Sequence, residues 1–173
     1  MKIQDQRVDP ERYTIIPRTL CFIFQGDSVL LIRYSKQKGS WAGKLNGIGG
    51  HIQPGETILQ SAKRELREEI GLGISGLQLC GTVLIDISDK KGVGLYIFAV
   101  NLDHKPEEEL TASEEGIPVW VPVSDLSGSE LMEDIPLLIE KSLKVLHSRQ
   151  LPFSGVYRQQ TSGELEMYFD PYE

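Results

Sequence analysis

Glu65, Glu68 and Glu69 are carboxylates set three and four residues apart, downstream of a run of turn formers at Gly49, Gly50, Pro54 and Gly55. On a helix turning about 100° per residue, Glu65 and Glu69 stand side by side one turn apart, and Glu68 lies within roughly 100° of both. Like charges at that spacing repel one another and weaken a helix. Arg64 and Arg67 offset them only in part. A solvated acidic face is the ordinary explanation of such a triplet. The alternative is a partner that neutralises it, and an all-oxygen donor set of this kind suits Mg²⁺ or Mn²⁺.

The surrounding residues predict the helix that would carry these acids. No regular element can run through the glycines and proline before it. Thr57 is placed as N-cap, and Glu56 adds negative charge at the favourable end of the helix dipole. From Ile58 onward, Ala62, Leu66 and Ile70 recur every fourth position with Leu59 beside them, one apolar stripe clear of the acids. Gly71 and Gly73 provide the exit.

Together these residues resemble the Nudix box: a glycine, five residues, Glu, seven residues, then Arg-Glu-apolar-x-Glu-Glu-x-Gly-apolar. Gly50, Glu56, Arg64, Glu65, Leu66, Glu68, Glu69, Gly71 and Leu72 fill every fixed position. A pattern of this length is far more specific than a lone glycine motif. The resemblance implies an α/β fold of the Nudix type, an α/β/α sandwich with a mixed β-sheet between helices. It implies Mg²⁺-dependent (or Mn²⁺-dependent) cleavage of a nucleoside diphosphate linked to another group. By the same resemblance Glu65, Glu68 and Glu69 hold the metal with the Gly49 carbonyl and a further glutamate from a downstream loop. Glu115 is the candidate for that last position, with Glu114 as its rival. Glu65 or Glu115 doubles as general base, and the sequence does not apportion the two tasks. Gly50, Glu56 and Arg64 are implied to be structural, tying the loop to the helix.

A finer resemblance points to the MutT-like oxidised-purine nucleoside triphosphate diphosphatases of the animal type. Lys44-Leu45-Asn46-Gly47-Ile48-Gly49-Gly50 is similar to their Trp-Asn-Gly-Phe-Gly-Gly stretch. The similarity continues in the Thr19-to-Tyr34 segment, in Pro118-Val119-Trp120, in a helix preceded by Glu133-Asp134, and in the aromatic ending around Phe153 to Tyr157. It implies that Asn46, Glu133 and Asp134 bind the base, since a paired amide and carboxylate can read donors on a purine edge. Two departures stand out: Leu131 where that family has a base-stacking tryptophan, and Glu rather than Asp at 133. A Nudix enzyme for ADP-ribose, a dinucleoside polyphosphate or a nucleotide sugar is the alternative. A non-catalytic ligand-sensing module is a third reading, disfavoured by the intact set of metal ligands.

The rest of the chain must position these groups. Strands are predicted at Thr14 to Phe24 (interrupted or bent near Pro17), Ser28 to Tyr34, Leu77 to Ser88, Val93 to Leu102 and Ile117 to Val123. A second helix follows Asp134, and a closing hairpin joins Phe153–Gln159 to Glu164–Phe169. Residues 35–45 read as a polar loop over an opening, carrying Lys36, Lys38 and Lys44, with Lys38 the phosphate-facing candidate. Residues 1–13 read as an N-terminal arm, and Glu107 to Glu109 as a solvated run.

At 173 residues the chain suits a single domain spanning 1–173. A net charge of -7, with no surplus Lys and Arg, argues against stable nucleic-acid binding but not against a small nucleotide substrate, for which a divalent metal supplies positive charge locally. No apolar run suits a membrane span or signal segment. Cys21 and Cys80 read as buried free thiols of a cytoplasmic protein. The sequence leaves oligomeric state open.

Overall fold

The structure, a computed structural model, describes residues 9, 11–106, 109–128, 130–148 and 150–171. Its elements in chain order are β1 (Thr14–Gln25), β2 (Ser28–Tyr34), β3 (Leu45–Asn46), α1 (Ile58–Ile70), β4 (Gln78–Ser88), β5 (Lys91–Asn101), β6 (Gly116–Pro122), α2 (Ile135–Ser148), β7 (Phe153–Gln159) and β8 (Leu165–Phe169). The strands form one mixed sheet in the order β3-β2-β1-β5-β4-β7-β8, with β6 also paired to β2.

The two runs predicted as a first hairpin pair only next to their turn, from Ile23 opposite Leu30 to Gln25 opposite Ser28. Beyond that they splay, because each has a longer partner. β1 runs parallel to β5 from Thr14 to Phe24, and β2 lies antiparallel along the whole of β6. The chain re-enters the splay as a wedge. Leu45 and Asn46 pair with Arg33 and Ile32 of β2, while Ile48 and His51 bridge to Cys21 and Arg18 of β1. The wedge is sewn to β1 by Thr19 N–H donating to the Gly50 carbonyl (2.8 Å) and Ile52 N–H to the Pro17 carbonyl (3.1 Å).

Of the interruption or bend expected near Pro17, the interruption does not occur: β1 runs unbroken through it. A strand residue points its nitrogen and its carbonyl to the same edge. The Pro17 carbonyl faces the wedge, so its missing N–H removes nothing from the β5 ladder.

Alternation along β1 separates two cores. Cys21 and Ile23 join Leu30, Ile32, Ile48 and Phe98 against Ala62, Leu66 and Ile70 of α1. Leu20, Phe22 and Phe24 join Val83, Ile97 and Phe153 against Ile135, Leu138, Ile139 and Val145 of α2. The result is the α/β/α sandwich that the resemblance implied. Cys21 and Cys80 are free and buried on opposite faces.

α1 begins at the predicted cap with a reciprocal box: Gln60 N–H donates to Thr57 Oγ1 (3.2 Å) and Thr57 N–H to Gln60 Oε1 (2.8 Å). It ends on Gly71 at φ 78°, a left-handed cap whose N–H reaches the Arg67 carbonyl. Thr57→Ala removes the side-chain half of that box and lowers unfolding free energy by about 1 kcal/mol, readable as a shift in urea midpoint at unchanged m-value.

Residues 35–45 are more ordered than a loop: a 3-10 turn spans Lys36–Trp41, kinked at Gly39, and β3 follows. The closing hairpin extends the sheet, with β7 parallel to β4. Glu107 and Glu108, and residues 1–8 and 10 of the arm, lie outside the described residues. Among the described residues no helix is long and apolar enough to cross a membrane.

Candidate active site

The wedge and α1 meet at the glycine pair, and contact decides the residue type there. A Cβ on Gly49 would lie 2.2 Å from the Thr19 carbonyl oxygen, and one on Gly50 2.6 Å from Glu65 Oε1. Arg64 locks this junction. Its guanidinium grips Glu56 in a two-point fork (2.7 and 3.1 Å), donates to Glu65 Oε1 (2.8 Å) and Glu68 Oε2 (2.9 Å), and reaches the His51 carbonyl (2.9 Å). The Glu56 carboxylate also accepts from Gln53 N–H (3.0 Å). Those bonds, the one from Arg64 first, hold Glu56 down at about 2. Glu56 therefore ties the loop to Arg64 of the helix.

The three acids of α1 are not equivalent. Glu68 is exposed and reaches the site through Arg64. Glu65 is buried, and burial is the main reason its carboxyl sits above the usual range. Glu69 is more deeply buried and has no cationic partner among the described residues. Burial first, then the charges of Glu65 and Glu115, push its carboxyl up to about 8. Glu115 lines the same cleft and is ion-paired with Lys38. Glu114 offers only its carbonyl, to Ser35 Oγ (2.8 Å).

Among the described residues, no three acidic, histidine or cysteine side chains stand in a ready coordination shell. Arg64 holds Glu65 and Glu68, and Lys38 holds Glu115. The donor chemistry nonetheless fits a divalent cation. Glu69 is a buried acid whose proton is retained partly because two other carboxylates repel its charge, and a cation among the three relieves that repulsion.

α1 and residues 132–134, which lead into α2, border opposite faces of the sheet, so a cleft reaching both must pass over the wedge. It does, with a volume of about 770 Å³, a size suited to a nucleotide. Beyond the α1 acids it is lined by Asn46, Met132, Glu133, Asp134 and Tyr157, with an aliphatic wall from Ile85, Ile87, Val93 and Leu95. Asn46 is oriented from both ends, its amide donating to Tyr34 Oη (2.7 Å) and its oxygen accepting from Gly47 N–H (2.8 Å). Burial, and then Glu133, raise the Asp134 carboxyl above the ordinary range. Burial and the facing Asp134 likewise raise the Tyr157 hydroxyl, although the two groups do not meet in hydrogen-bond geometry. Tyr157 Oη and Thr19 Oγ1 are buried polar atoms of the cleft with no partner among the described residues. Such groups call for a ligand or water.

The structure thus brings Gly49, Glu65, Glu68, Glu69, Glu115, Lys38, Asn46, Glu133 and Asp134 to one cleft. Leu131, at the position where the resemblance leads one to expect a stacking tryptophan, turns into the core and bridges Leu45, while Met132 faces the cleft. Sequence reasoning missed Arg18, His51, Tyr34, Trp41 and Tyr157. Only Arg18 carried a signal, as the single charge inside an apolar strand. His51 takes the Arg18 Nε–H at Nε2 (3.1 Å), so that nitrogen is unprotonated; burial and then the Arg18 charge lower its pKa.

A mixed sheet covered on both faces, with buried acids on a helix against a glycine loop, is the architecture that the Nudix box implied. The NUDIX domain family model matches residues 14–165, and the chain belongs to that family. It is 36% identical over 129 residues to an oxidized purine nucleoside triphosphate hydrolase of Danio rerio, covering 71% of this chain and 79% of that one. A protein of the same description from Mus musculus is 35% identical over 128 residues, with the same coverage. The crystal structure of a MutT protein from Bacillus halodurans superposes with a TM-score of 0.68 at 25% identity, covering 92% of this chain and all of that one.

Proposed function

We propose that this Nudix hydrolase cleaves a nucleoside triphosphate bearing an oxidised purine, of the 8-oxo-dGTP type, into a monophosphate and pyrophosphate, with Mg²⁺ or Mn²⁺. The observation that carries this reading is the continuity of one cleft from the α1 acids to Asn46, Glu133 and Asp134. One face suits a metal and a phosphate chain, and the other a flat polar ring. The relatives from Danio rerio and Mus musculus support the same substrate class.

In this reading Glu65, Glu68, Glu69 and Glu115, with the Gly49 carbonyl, hold the metal. When bound, a divalent cation screens the negative phosphate oxygens that otherwise repel a nucleophile. Glu65 or Glu115 takes the proton of the attacking water, which needs a carboxylate within hydrogen-bond reach of it. Asp134, retaining its proton more readily than a solvent-exposed acid, donates to an acceptor on the base, while Asn46 supplies both a donor and an acceptor. Met132 and the aliphatic wall cover the ring faces.

The test is turnover of a panel of 8-oxo-dGTP, 2-oxo-dATP, the ordinary dNTPs, ADP-ribose and diadenosine polyphosphates, with nucleotide products separated by chromatography and pyrophosphate read for the triphosphates. The oxidised purine triphosphates are expected to lead. Asp134→Asn and Asn46→Ala are each expected to reduce that preference by roughly 10- to 100-fold, as for a lost hydrogen bond to a buried polar edge. Because the Asp134 pKa is raised, the preference weakens as pH rises through it. Turnover of ADP-ribose or a dinucleotide in place of the triphosphates would discard this reading of the base pocket.

A further inference from the structure

We propose that Arg18 is a substrate-binding residue that grips the phosphate chain, and that His51 is the positioning residue that aims it. The proposal rests on the reading of the cleft as a nucleoside triphosphate site.

Three basic side chains line the cleft: Arg18, Lys38 and Arg64. Arg64 is consumed by Glu56, Glu65 and Glu68, and Lys38 by Glu115. Arg18 alone has no carboxylate partner among the described residues. Its one hydrogen bond there runs from Nε to the unprotonated Nε2 of His51 (3.1 Å), which leaves its terminal nitrogens free to donate. A guanidinium placed in this way, in a chain of net charge -7, is suited to an anionic ligand and to two-point contact with phosphate oxygens.

Its placement is built rather than accidental. Arg18 lies on β1 between Leu95 of β5 and His51 of the wedge, so its backbone is paired on both sides. The His51 carbonyl is clamped by Arg64 Nη2 (2.9 Å) while its ring holds Arg18. One histidine therefore couples the Arg64 knot on α1 to the free guanidinium. His51 directly follows Gly49 and Gly50, and Gly50 abuts Glu65. Arg18 thus lines the cleft beside the glycine loop that abuts Glu65, where a phosphate chain held at the α1 acids comes within its reach.

The experiment compares wild type with Arg18→Gln, Arg18→Lys, His51→Gln and His51→Leu. It reads KM and kcat for each nucleotide turned over, the Ki of inorganic tripolyphosphate, and the Kd of the unphosphorylated nucleoside. Arg18→Gln is expected to raise KM and the tripolyphosphate Ki together by roughly 10- to 100-fold, the worth of a charge-assisted pair. It should leave nucleoside affinity and kcat within about threefold, with Arg18→Lys intermediate. His51→Leu should raise KM by about fivefold, and His51→Gln, which keeps an acceptor, should restore it, a rescue that a merely structural role would not show.

Unchanged KM and Ki in Arg18→Gln overturn the proposal, as does an equal loss of nucleoside affinity, which would assign Arg18 to the base or sugar. A wild type that prefers ADP-ribose, yet loses KM for it in Arg18→Gln, would sink the triphosphate reading and leave Arg18 as a phosphate ligand. A melting temperature unchanged by each substitution shows that the effect is on binding.

Discussion

Glu69→Gln is expected to lower kcat by roughly 10³-fold or more while leaving the fold intact. The amide is nearly isosteric, so packing against the α1 core is kept, but it cannot supply the charge that draws a divalent cation. The same substitution has a signature in stability. Without metal the Glu69 carboxyl sits at about 8 in the folded chain against an ordinary value of 4.5, mainly through burial. A raised acid favours the folded state below its unfolded pKa, and that advantage is lost as pH rises through the folded value. The melting temperature of the metal-free protein should therefore decline between about pH 5 and pH 9. Mg²⁺ should flatten the decline, and Glu69→Gln should largely abolish it. Scanning calorimetry across that range, with chelator and with Mg²⁺, reads all three. A variant retaining more than about a tenth of wild-type kcat would remove Glu69 from the metal site.

Arg64→Ala is expected to damage more of the structure than any single acid. It takes the two-point fork from Glu56, leaving that carboxylate the Gln53 N–H, and releases Glu65, Glu68 and the His51 carbonyl at once. We expect kcat/KM to fall roughly 10²-fold, because catalytic groups displaced by about 1 Å lose that much. The melting temperature at neutral pH should drop by roughly 5 °C. Arg64→Lys restores charge without the planar fork and should recover little. Glu56 gives this loss its pH dependence. Its carboxyl is depressed to about 2, so its contribution is present above the unfolded value and is lost as pH falls through 2. The stability gap between wild type and Arg64→Ala should accordingly be wide at pH 7 and close in strong acid. A gap independent of pH would show that Glu56 draws nothing from Arg64. Glu56→Gln, which keeps one acceptor for the fork, should cost far less activity than Glu69→Gln.

Much of this site is legible in the sequence. Thr57, the apolar stripe and Gly71 announce α1 because caps, periodicity and left-handed exits act between residues a few positions apart. The same local rules placed Glu65, Glu68 and Glu69 near one another, and the spacing of the box named Gly50, Glu56 and Arg64. The strands were readable as elements, though not as pairs. Thr14–Gln25 and Ser28–Tyr34 look like a hairpin, yet they part after three residue pairs because β5 and β6 are longer partners. That choice depends on segments far along the chain, and no local pattern encodes it.

The inequality of the acids was equally hidden. On a helical wheel Glu65, Glu68 and Glu69 are near equals. In the structure Arg64 covers two of them, and the sheet buries Glu69 beside Glu115. Lys38 was readable as a loop cation but not as the partner of Glu115, which leaves Arg18 as the available one. Leu131 and Met132 are adjacent apolar residues, and only packing against Leu45 decides that the first turns inward and the second faces the cleft.

By itself, then, the sequence determined the Nudix helix, its caps, its acids and the α/β character of the chain, since these follow from turn chemistry and periodicity over short spans. Tertiary structure alone decided the splay of β1 and β2, the wedge that fills it, and the cleft joining two faces of one sheet. Each of those depends on which distant strand offers the longest ladder and on which side chains the resulting layers exclude from water.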